Sequence, residues 1–143
     1  MKANERALAV VILAAGQGKR MKSGLVKVLH ELCGRPMLAY PIEIAEALAP
    51  ERLVVVVGRD SERVCEAFSG RATFVEQTER RGTGHAMMTT RAALDGFRGD
   101  VLILYGDTPL LRAETIERMR AEKIARGVEL LILTALEPMP GRI

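Results

Sequence analysis

Aromatic residues and cysteines are both scarce in this sequence of 143 residues. Phe and Tyr together make up 3% of the chain, and Trp is absent. This composition predicts an aliphatic core and argues against a protein that stacks on single-stranded bases. Cys33 and Cys65 are the only cysteines, and their spacing fits neither a metal-ligand motif nor a disulfide framework. We therefore expect two buried or half-buried thiols in a reducing compartment.

Long apolar runs and a strong charge of one sign are missing as well. The apolar stretch at residues 7–15 is too short to cross a bilayer, and it leads into glycines rather than a signal-peptide cleavage site. The formal net charge is +3, which is too small to indicate a nucleic-acid partner. We expect a cytoplasmic globular protein that neither inserts into membranes nor binds nucleic acid.

What the sequence does contain is a regular alternation of short apolar runs and amphipathic stretches. The apolar runs are rich in Val, Leu and Ile, which is typical of strands buried on both faces. They predict strands at residues 7–14, 53–57, 72–76, 101–105 and 130–136. The amphipathic stretches predict helices at residues 36–49, 60–68, 84–94 and 113–126. Pro36 would open the first helix, and Gly127 would cap the last.

This alternation predicts one α/β domain of the Rossmann-like type, with a doubly wound, mostly parallel sheet and helices on both faces. In sheets of this kind, ligands bind outside the carboxyl ends of the strands. The residues that follow each predicted strand are therefore the candidates for function.

The loop after the first strand is rich in glycine and positive charge. It is about 20 residues long, whereas strand-to-helix connections usually have two to six, and long ordered loops are often functional. Gly16 and Gly18 can present backbone N–H groups to an anion. Positive charge would come from Lys19, Arg20 and Lys27. The loop lacks the third glycine of the dinucleotide fingerprint and the Ser or Thr of a Walker A motif, so it fits either a polyphosphate-binding loop or a structural tight turn.

The loop after the third strand joins an amide to a second glycine-rich turn. Gln77 offers both a donor and an acceptor to the edge of a base. Gly82 and Gly84 flank Thr83 just before a predicted helix, so the backbone of this segment can bind a ligand. The alternatives are an exposed Gln77 and a helix cap at Thr83. His85 is interpreted as structural, because no candidate nucleophile is spaced with it.

A carboxylate follows the fourth strand. Asp107 comes just after the apolar run, where it would lie at the ligand edge of the sheet. A single carboxylate can hold Mg²⁺, which takes waters and substrate phosphates as its other ligands. Gly106 would let a ligand approach the backbone, and the alternative is that Asp107 only forms a turn before Pro109. Together the three loops indicate Mg²⁺-dependent chemistry on a nucleoside triphosphate.

As a group, the loops resemble the signature of sugar-1-phosphate nucleotidyltransferases. The first part is Leu13-Ala14-Ala15-Gly16-x-Gly18-x-Arg20-Met21, followed by Lys27-Val28-Leu29 and Gly34-Arg35-Pro36-Met37. The second part is Gln77, Gly82-Thr83-Gly84-His85-Ala86 and Tyr105-Gly106-Asp107-x-Pro109-Leu110. The resemblance covers residues 7–143. It is most specific for one domain of the family. That domain is the N-terminal uridyltransferase domain of the bifunctional bacterial N-acetylglucosamine-1-phosphate uridyltransferases/glucosamine-1-phosphate acetyltransferases.

This resemblance implies a nucleotide-diphospho-sugar transferase fold. It also implies that UTP and N-acetylglucosamine 1-phosphate react with Mg²⁺ to give UDP-N-acetylglucosamine and pyrophosphate, for cell-envelope precursor synthesis. Arg20 and Lys27 would be catalytic and neutralise the triphosphate, and Asp107 would bind the metal. The nucleotide and sugar would be contacted by Leu13, Ala14, Ala15, Gly16, Lys27, Gln77, Gly82, Thr83, Tyr105, Gly106, Asp107 and Gly141.

The sequence departs from the family pattern at three places. Lys19 stands where the family usually has Thr, and Val26 where it has Pro. Met and Pro precede Gly141 in place of Gly-Tyr. Family members also continue well beyond Ile143, with further sugar contacts and a β-helix acetyltransferase domain through which they form trimers. We therefore expect an N-terminal part of a uridyltransferase domain that binds nucleotide, turns over slowly or not at all, and forms homo-oligomers.

Two competing hypotheses stay open. One is a related nucleotidyltransferase that acts on another sugar phosphate or on a molybdenum cofactor. The other is a non-catalytic nucleotide-binding module with a decayed site, against which the presence of Arg20, Lys27 and Asp107 argues.

Overall fold

The computed structural model describes residues 6–16, 18, 21–59, 61–79 and 81–135. These residues fall into two compact units, one from Arg6 to Ala113 and one that begins at Glu114. The strands are β1 (Leu8–Leu13), β2 (Glu31–Leu32), β3 (Arg35–Pro36), β4 (Arg52–Val57), β5 (Thr73–Glu76) and β6 (Asp100–Tyr105). The α-helices are α1 (Ala39–Ala47), α2 (Glu62–Ala67), α3 (Thr83–Thr89) and α4 (Ala113–Arg126).

Four parallel strands form the main sheet, in the order β5, β4, β1, β6. The chain first adds β4 and β5 on one side of β1, and then returns to place β6 on the other side. The strand order therefore reverses at β1. In open α/β sheets such a reversal leaves a crevice at the carboxyl ends of the strands, which is where ligands bind.

The middle of β1 is fully buried from both sides. Val11 packs with Val54 of β4 against Ala86 of α3. Val10 and Ile12 are equally inaccessible and point to the opposite face, because side chains alternate along a strand. Helix α1 contacts β1 as well. The predicted doubly wound α/β fold, with a parallel sheet between helices, is therefore confirmed.

The first predicted helix is wrong at its start. Pro36 does not open a helix but lies in β3, which pairs antiparallel with β2. Cys33 and Gly34 between these strands have φ of +51° and +74°, the conformation that a two-residue hairpin turn requires. The turn leaves Cys33 exposed, so the expectation that it is at least half-buried is wrong, whereas Cys65 is half-buried. Helix α1 begins only at Ala39, so that Pro41 falls in its first turn, where a proline is tolerated. The short hairpin explains why the amphipathic pattern overestimated this helix.

Strand β6 is buried on one face only, unlike the prediction for an all-apolar strand. Val101, Ile103 and Tyr105 are 44–48% exposed, whereas Leu104 is 3% exposed. In the described sheet β6 is an edge strand that pairs only with β1. An apolar run thus identifies a strand, but its composition does not tell whether both faces are covered.

The unit that begins at Glu114 contains most of α4. This helix matches its prediction and ends as predicted at Gly127, whose φ of +61° is the left-handed conformation favoured after a helix. The N–H of Val128 reaches back to the carbonyl of Lys123 at 3.3 Å and closes the helix end. No helix among the described residues is long and apolar enough to span a membrane.

The strand predicted at residues 130–136 is wrong over its described part, residues 130–135, which adopt no regular structure. Leu130 and Ile132 are 74% and 69% exposed. A strand is stabilised by backbone hydrogen bonds to a neighbour, and within the described residues this segment pairs with none. The apolar pattern alone therefore does not make a strand here.

Candidate functional site

A pocket of about 440 Å³ opens at the carboxyl edge of the sheet, within the unit Arg6–Ala113. It lies where the strand order reverses, and its size suits a small-molecule ligand. All three loops singled out from the sequence contribute to it. Its lining consists of Leu13, Ala14, Ala15, Gly16, Gly18, Met21, Lys27, Val28, Gln77, Gly82, Thr83, Ala86, Tyr105 and Asp107.

The backbone after β1 is partly committed to the sheet and partly available. The N–H of Ala14 donates to the carbonyl of Val56 at 2.8 Å, and the carbonyl of Leu13 accepts the N–H of Gly106 at 2.9 Å. Among the described residues, the N–H groups of Ala15 and Gly16 donate to no backbone carbonyl. These two N–H groups are therefore available to a ligand in the pocket.

Gly18 is required by its backbone and by its neighbour. Its φ is +59°, a conformation that non-glycine residues rarely adopt. A Cβ atom on Gly18 would lie 2.7 Å from the Cβ of Lys27, well inside van der Waals contact. The loop thus folds back so that Lys27 rests directly on Gly18. The absence of a side chain at Gly18 is what allows Lys27 to take this position.

Lys27 lies on a short 3-10 turn, Lys27–Leu29, that is anchored from below. Val28 is 3% exposed, and its carbonyl accepts the N–H of Leu38 at 3.0 Å. From this turn the Nζ of Lys27 reaches the Oδ2 of Asp107 at 2.5 Å. The two side chains are 31% and 40% exposed. They form a solvent-accessible ion pair at the pocket between residues that are 80 positions apart in sequence.

Asp107 lies in the turn after β6, but its carboxylate does more than shape that turn. The turn is closed by the hydroxyl of Thr108, which donates to the carbonyl of Tyr105 at 2.9 Å. The Asp107 carboxylate instead points to Lys27 and lines the pocket. The interpretation of Asp107 as only a turn residue is therefore insufficient.

The metal-binding capacity of the described residues is small. They hold no group of three or more His, Cys, Asp or Glu side chains that could enclose an ion. Asp107 is the one carboxylate among the described residues that line the pocket. One carboxylate fits a Mg²⁺ ion that takes its other ligands from water and phosphate, and does not fit a metal held by protein alone.

Gly106 lies beneath the pocket rather than on its surface. A Cβ atom at this position would lie 3.1 Å from both Ala14 Cβ and Val28 Cγ1. The glycine lets the end of β6 pack closely against the loop after β1 and against the 3-10 turn. Its close approach is to protein, whereas the sequence suggested a close approach to ligand.

Gln77 is almost fully buried at the opposite end of the pocket, at 4% exposure. Its Nε2 lies 3.2 Å from the carbonyl oxygen of Gly82 and 3.1 Å from the Nδ1 of His85. Its backbone N–H donates to the carbonyl of Val57 at 2.7 Å. The alternative interpretation of Gln77 as an exposed residue is wrong, because the following loop curls back over its side chain.

The N-terminus of α3 is capped by Gly82 and not by Thr83. Gly82 has φ +93°, which only glycine adopts readily, and its carbonyl accepts the N–H of Ala86 at 3.1 Å. Thr83 is the first residue of the helix and makes no side-chain capping bond. Gly82 and Thr83 both line the pocket, so the cap alternative for Thr83 does not explain its position.

The structure brings most predicted site residues together, and some lie outside the described part of the chain. Arg20, Lys19 and Gly141 fall there, so their predicted roles rest on the sequence. Gly18, predicted to present its backbone to an anion, does line the pocket. The pocket residues Met21, Val28 and Ala86 were not assigned a site role from the sequence. The apolar lining could not, because buried Val and Ala are common everywhere in such a fold.

Val26 stands where the related family usually has Pro. Its φ is −57°, close to the value that a proline ring enforces, and its ψ is 133°. The backbone at this position is therefore compatible with a proline.

Comparison with known proteins identifies a family for this chain. The family model of MobA-like NTP transferase domains matches residues 10–139. Among curated proteins, the bifunctional protein GlmU of Geobacter sulfurreducens is 49% identical over 141 residues, which is 95% of this chain and 30% of the relative. GlmU of a Ruegeria species is 52% identical over 129 residues, 85% of this chain and 29% of the relative. The chain thus spans about 30% of the length of these relatives.

Solved structures share the fold. Rv0371c of Mycobacterium tuberculosis has a TM-score of 0.67 and 20% identity over 85% of this chain and 61% of its own. A nucleotidyl transferase from Methanothermobacter thermautotrophicus has a TM-score of 0.66 and 24% identity over 80% of this chain and 57% of its own. Rv0371c has also been solved as a complex with manganese, with a TM-score of 0.66. The family match, the fold and the pocket agree, and the chain belongs to the MobA-like NTP transferase domain family.

Proposed function

We propose that this chain carries the nucleotide site of a uridyltransferase. The complete reaction would join UTP and N-acetylglucosamine 1-phosphate to give UDP-N-acetylglucosamine and pyrophosphate, with Mg²⁺. The relatives named bifunctional protein GlmU, at 49–52% identity, support this choice within the family. They are the enzymes whose uridyltransferase domain the three loop motifs resemble.

The observation that carries the proposal is the convergence of three chemically different groups on one pocket. The loop after β1 offers backbone N–H groups, Lys27 and Asp107 offer charge, and Gln77 offers a buried amide. A nucleoside triphosphate has parts that match each of these groups. We call the region around Gln77 the base end of the pocket, and the region around Lys27 and Asp107 the phosphate end.

At the phosphate end, the residues would act by position and charge. A phosphate oxygen of the sugar phosphate would attack the α-phosphorus of UTP, the bond from that phosphorus to the bridging oxygen would break, and pyrophosphate would leave. Such a transfer needs no side-chain nucleophile. Lys27 would bind triphosphate oxygens and stabilise the negative charge that develops on them. Arg20 would add a second positive charge.

Asp107 would hold the Mg²⁺ ion, which would supply additional neutralisation of the phosphates. In the present arrangement Asp107 is paired with Lys27 at 2.5 Å. Nucleotide binding would therefore exchange partners, since a phosphate would take the lysine while the metal took the carboxylate. This exchange needs little movement, because both groups already line the same pocket.

The sugar acceptor rests on resemblance alone. Gly141, the residue proposed to contact the amino sugar, lies outside the described residues. Full activity, the assembly into homo-oligomers and the place in cell-envelope precursor synthesis are likewise proposals taken from the longer relatives.

The proposal is tested by titrating the chain with UTP, CTP and GTP, each with and without Mg²⁺, in a calorimeter. We expect UTP to bind most tightly and Mg²⁺ to strengthen its binding. Pyrophosphate release with UTP and N-acetylglucosamine 1-phosphate would then measure turnover, which we expect to be slow. Tighter binding of CTP or GTP would identify a different nucleotidyltransferase. Rapid turnover would leave the assignment intact and refute the expectation of a weak fragment.

A further inference from the structure

The Gln77 amide has an unusual constraint: both hydrogens of its NH₂ group are directed at protein acceptors. One faces the carbonyl oxygen of Gly82 at 3.2 Å, and the other faces the Nδ1 of His85 at 3.1 Å. Among the described residues, no group hydrogen-bonds to the remaining amide atom, Oε1. Since Gln77 is 4% exposed and lines the pocket, Oε1 is the atom left for a ligand.

The orientation of this amide follows from its partners. A carbonyl oxygen can only accept a hydrogen bond, so the atom opposite Gly82 must be the amide nitrogen. Turning the amide over would bring two oxygen atoms face to face at hydrogen-bond distance inside a buried site. Hydrogen-bond partners are what distinguish the two orientations of a glutamine side chain, and here they select one.

His85 completes the constraint. Because the amide nitrogen donates to its Nδ1, the imidazole must carry its proton on Nε2. The helix fixes where this acceptor stands, since His85 is the third residue of α3, whose cap Gly82 supplies the other acceptor. One short segment thus holds the amide at two points. Without His85, the NH₂ group would keep one partner and the amide could reorient.

We propose that His85 is a positioning residue for base selection, which acts by fixing the Gln77 amide with only its oxygen turned to the pocket. This inference rests on the proposed function. An acceptor fixed in this way favours a base that presents a ring N–H, as uracil does at N3. It disfavours cytosine, whose N3 presents a lone pair at the same place. A site built around one hydrogen bond rejects an analogue that cannot form it.

The test compares two substitutions that differ in one respect. His85→Asn keeps an acceptor, because its Oδ1 can occupy the place of Nδ1, whereas His85→Leu removes the acceptor at similar volume. The readout is the ratio of UTP to CTP affinity measured by calorimetry, with thermal melting to confirm folding. We expect the ratio to fall roughly tenfold in His85→Leu, about the effect of one hydrogen bond, and to stay near that of the parent chain in His85→Asn.

The outcomes separate the inference from the proposed function. If the parent chain does not prefer UTP, the proposed function fails first. If it prefers UTP and His85→Leu keeps the same ratio, the role of His85 is refuted while the function stands. An equal loss of UTP and CTP binding in both variants would also refute it, since that pattern indicates a structural role only.

A second measurement does not depend on variants that fold. The ¹⁵N signals of the imidazole of His85 in the parent chain report which nitrogen carries the proton. We expect the proton on Nε2, with Nδ1 unprotonated and accepting from the Gln77 amide. We also expect slow exchange of both side-chain amide protons of Gln77. A proton on Nδ1 would overturn the proposal, because the amide nitrogen could not then donate to it.

Discussion

The two ends of the pocket are built in opposite ways. At the base end, Gln77 is 4% exposed and its amide is held by Gly82 and His85. At the phosphate end, Lys27 and Asp107 are 31% and 40% exposed and hold only each other by their side chains among the described residues. The base end is fixed by protein contacts, whereas the phosphate end would exchange partners if a triphosphate bound as proposed.

Under the proposed function, this difference follows from what each end would recognise. Bases differ in the position of single hydrogens. Recognition therefore requires an immobile, desolvated polar group that is left without a hydrogen bond when the wrong base binds. A triphosphate with its metal carries several charges, and an exposed ion pair gives up its mutual attraction at little cost, since such pairs contribute about 0–1 kcal/mol. Selectivity should therefore reside at one end, and metal and salt dependence at the other.

The largest expected effect on the phosphate end comes from Gly18→Ala. The added Cβ would lie 2.7 Å from that of Lys27 in a residue with φ of +59°, so the loop or the lysine must move. The left-handed conformation alone costs about 1–2 kcal/mol, and we expect at least about tenfold weaker UTP binding by calorimetry. Gly24→Ala, in the same loop, is the control, because a Cβ there meets nothing within 4 Å. Equal effects of both substitutions would contradict the role given to Gly18.

Removing each partner of the ion pair in turn should separate the contribution of the Lys27 charge to UTP binding from the contribution of Mg²⁺. Lys27→Met should weaken UTP binding by roughly tenfold to a hundredfold, the range for charge-assisted hydrogen bonds of about 1.5–3 kcal/mol. Asp107→Asn should instead abolish the gain in UTP affinity that Mg²⁺ provides. Neither should change the ratio of UTP to CTP affinity.

The matched control for these charge changes is Glu79→Gln. Glu79 forms an exposed ion pair with Arg81 at 2.6 Å and does not line the pocket. We expect it to leave UTP binding and its metal dependence unchanged. A change in the ratio of UTP to CTP affinity in Lys27→Met or Asp107→Asn would show that the two ends are not independent. It would contradict the assignment of selectivity to the base end alone.

Ionic strength should act on one end only. Exposed charges are screened over about 10 Å at 0.1 M salt, whereas a buried neutral amide is not affected. Raising the salt concentration should therefore weaken the binding of UTP severalfold and leave the binding of uridine nearly unchanged. Competition titrations with both ligands at low and high salt measure this. Parallel losses for the two ligands would show that charge also governs the base end.

The smallest expected effect is a gain in stability from Val26→Pro. The native φ of −57° suits proline, and among the described residues the N–H of Val26 donates to no backbone carbonyl. A compatible proline stabilises by about 0.4–1 kcal/mol, mainly by restricting the unfolded chain. Thermal or urea unfolding checks this. UTP affinity should be equal or slightly higher, since the turn before Lys27 becomes stiffer, and a clear loss would show that this turn must move.

The sequence predicted well what depends on local pattern. Strands β1 and β4 were found from their Val-rich runs. The residues singled out after strand ends line one pocket, because the edge of a parallel sheet is dictated by topology. The hairpin at β2 and β3 was missed, since each strand has two residues and carries no periodicity. The strand at 130–136 was wrong over its described part, because pairing is decided by a neighbour and not by composition.

The details of the site were less accessible from sequence. Gln77 was recognised as a base-edge candidate with a donor and an acceptor, but burial and the two partners leave only the acceptor. The contact of Lys27 with Asp107 joins residues 80 apart, and no local signal announces it. Gly106 was assigned to the ligand, while its close neighbours are Ala14 and Val28. In each case the sequence does not show which residues lie next to each other in the folded protein.

The close contact between Lys27 and Gly18 has a consequence for how the loop can evolve. Where two points of a chain touch, the residues between them form an excursion whose length and composition can vary without moving either point, and a longer excursion costs little in closure entropy. Substitutions such as Lys19 fall inside this excursion. Apart from Arg20, which is proposed to act on the phosphates, and Met21, which lines the pocket, residues of this segment can therefore vary between related enzymes while Gly18 keeps Lys27 in place.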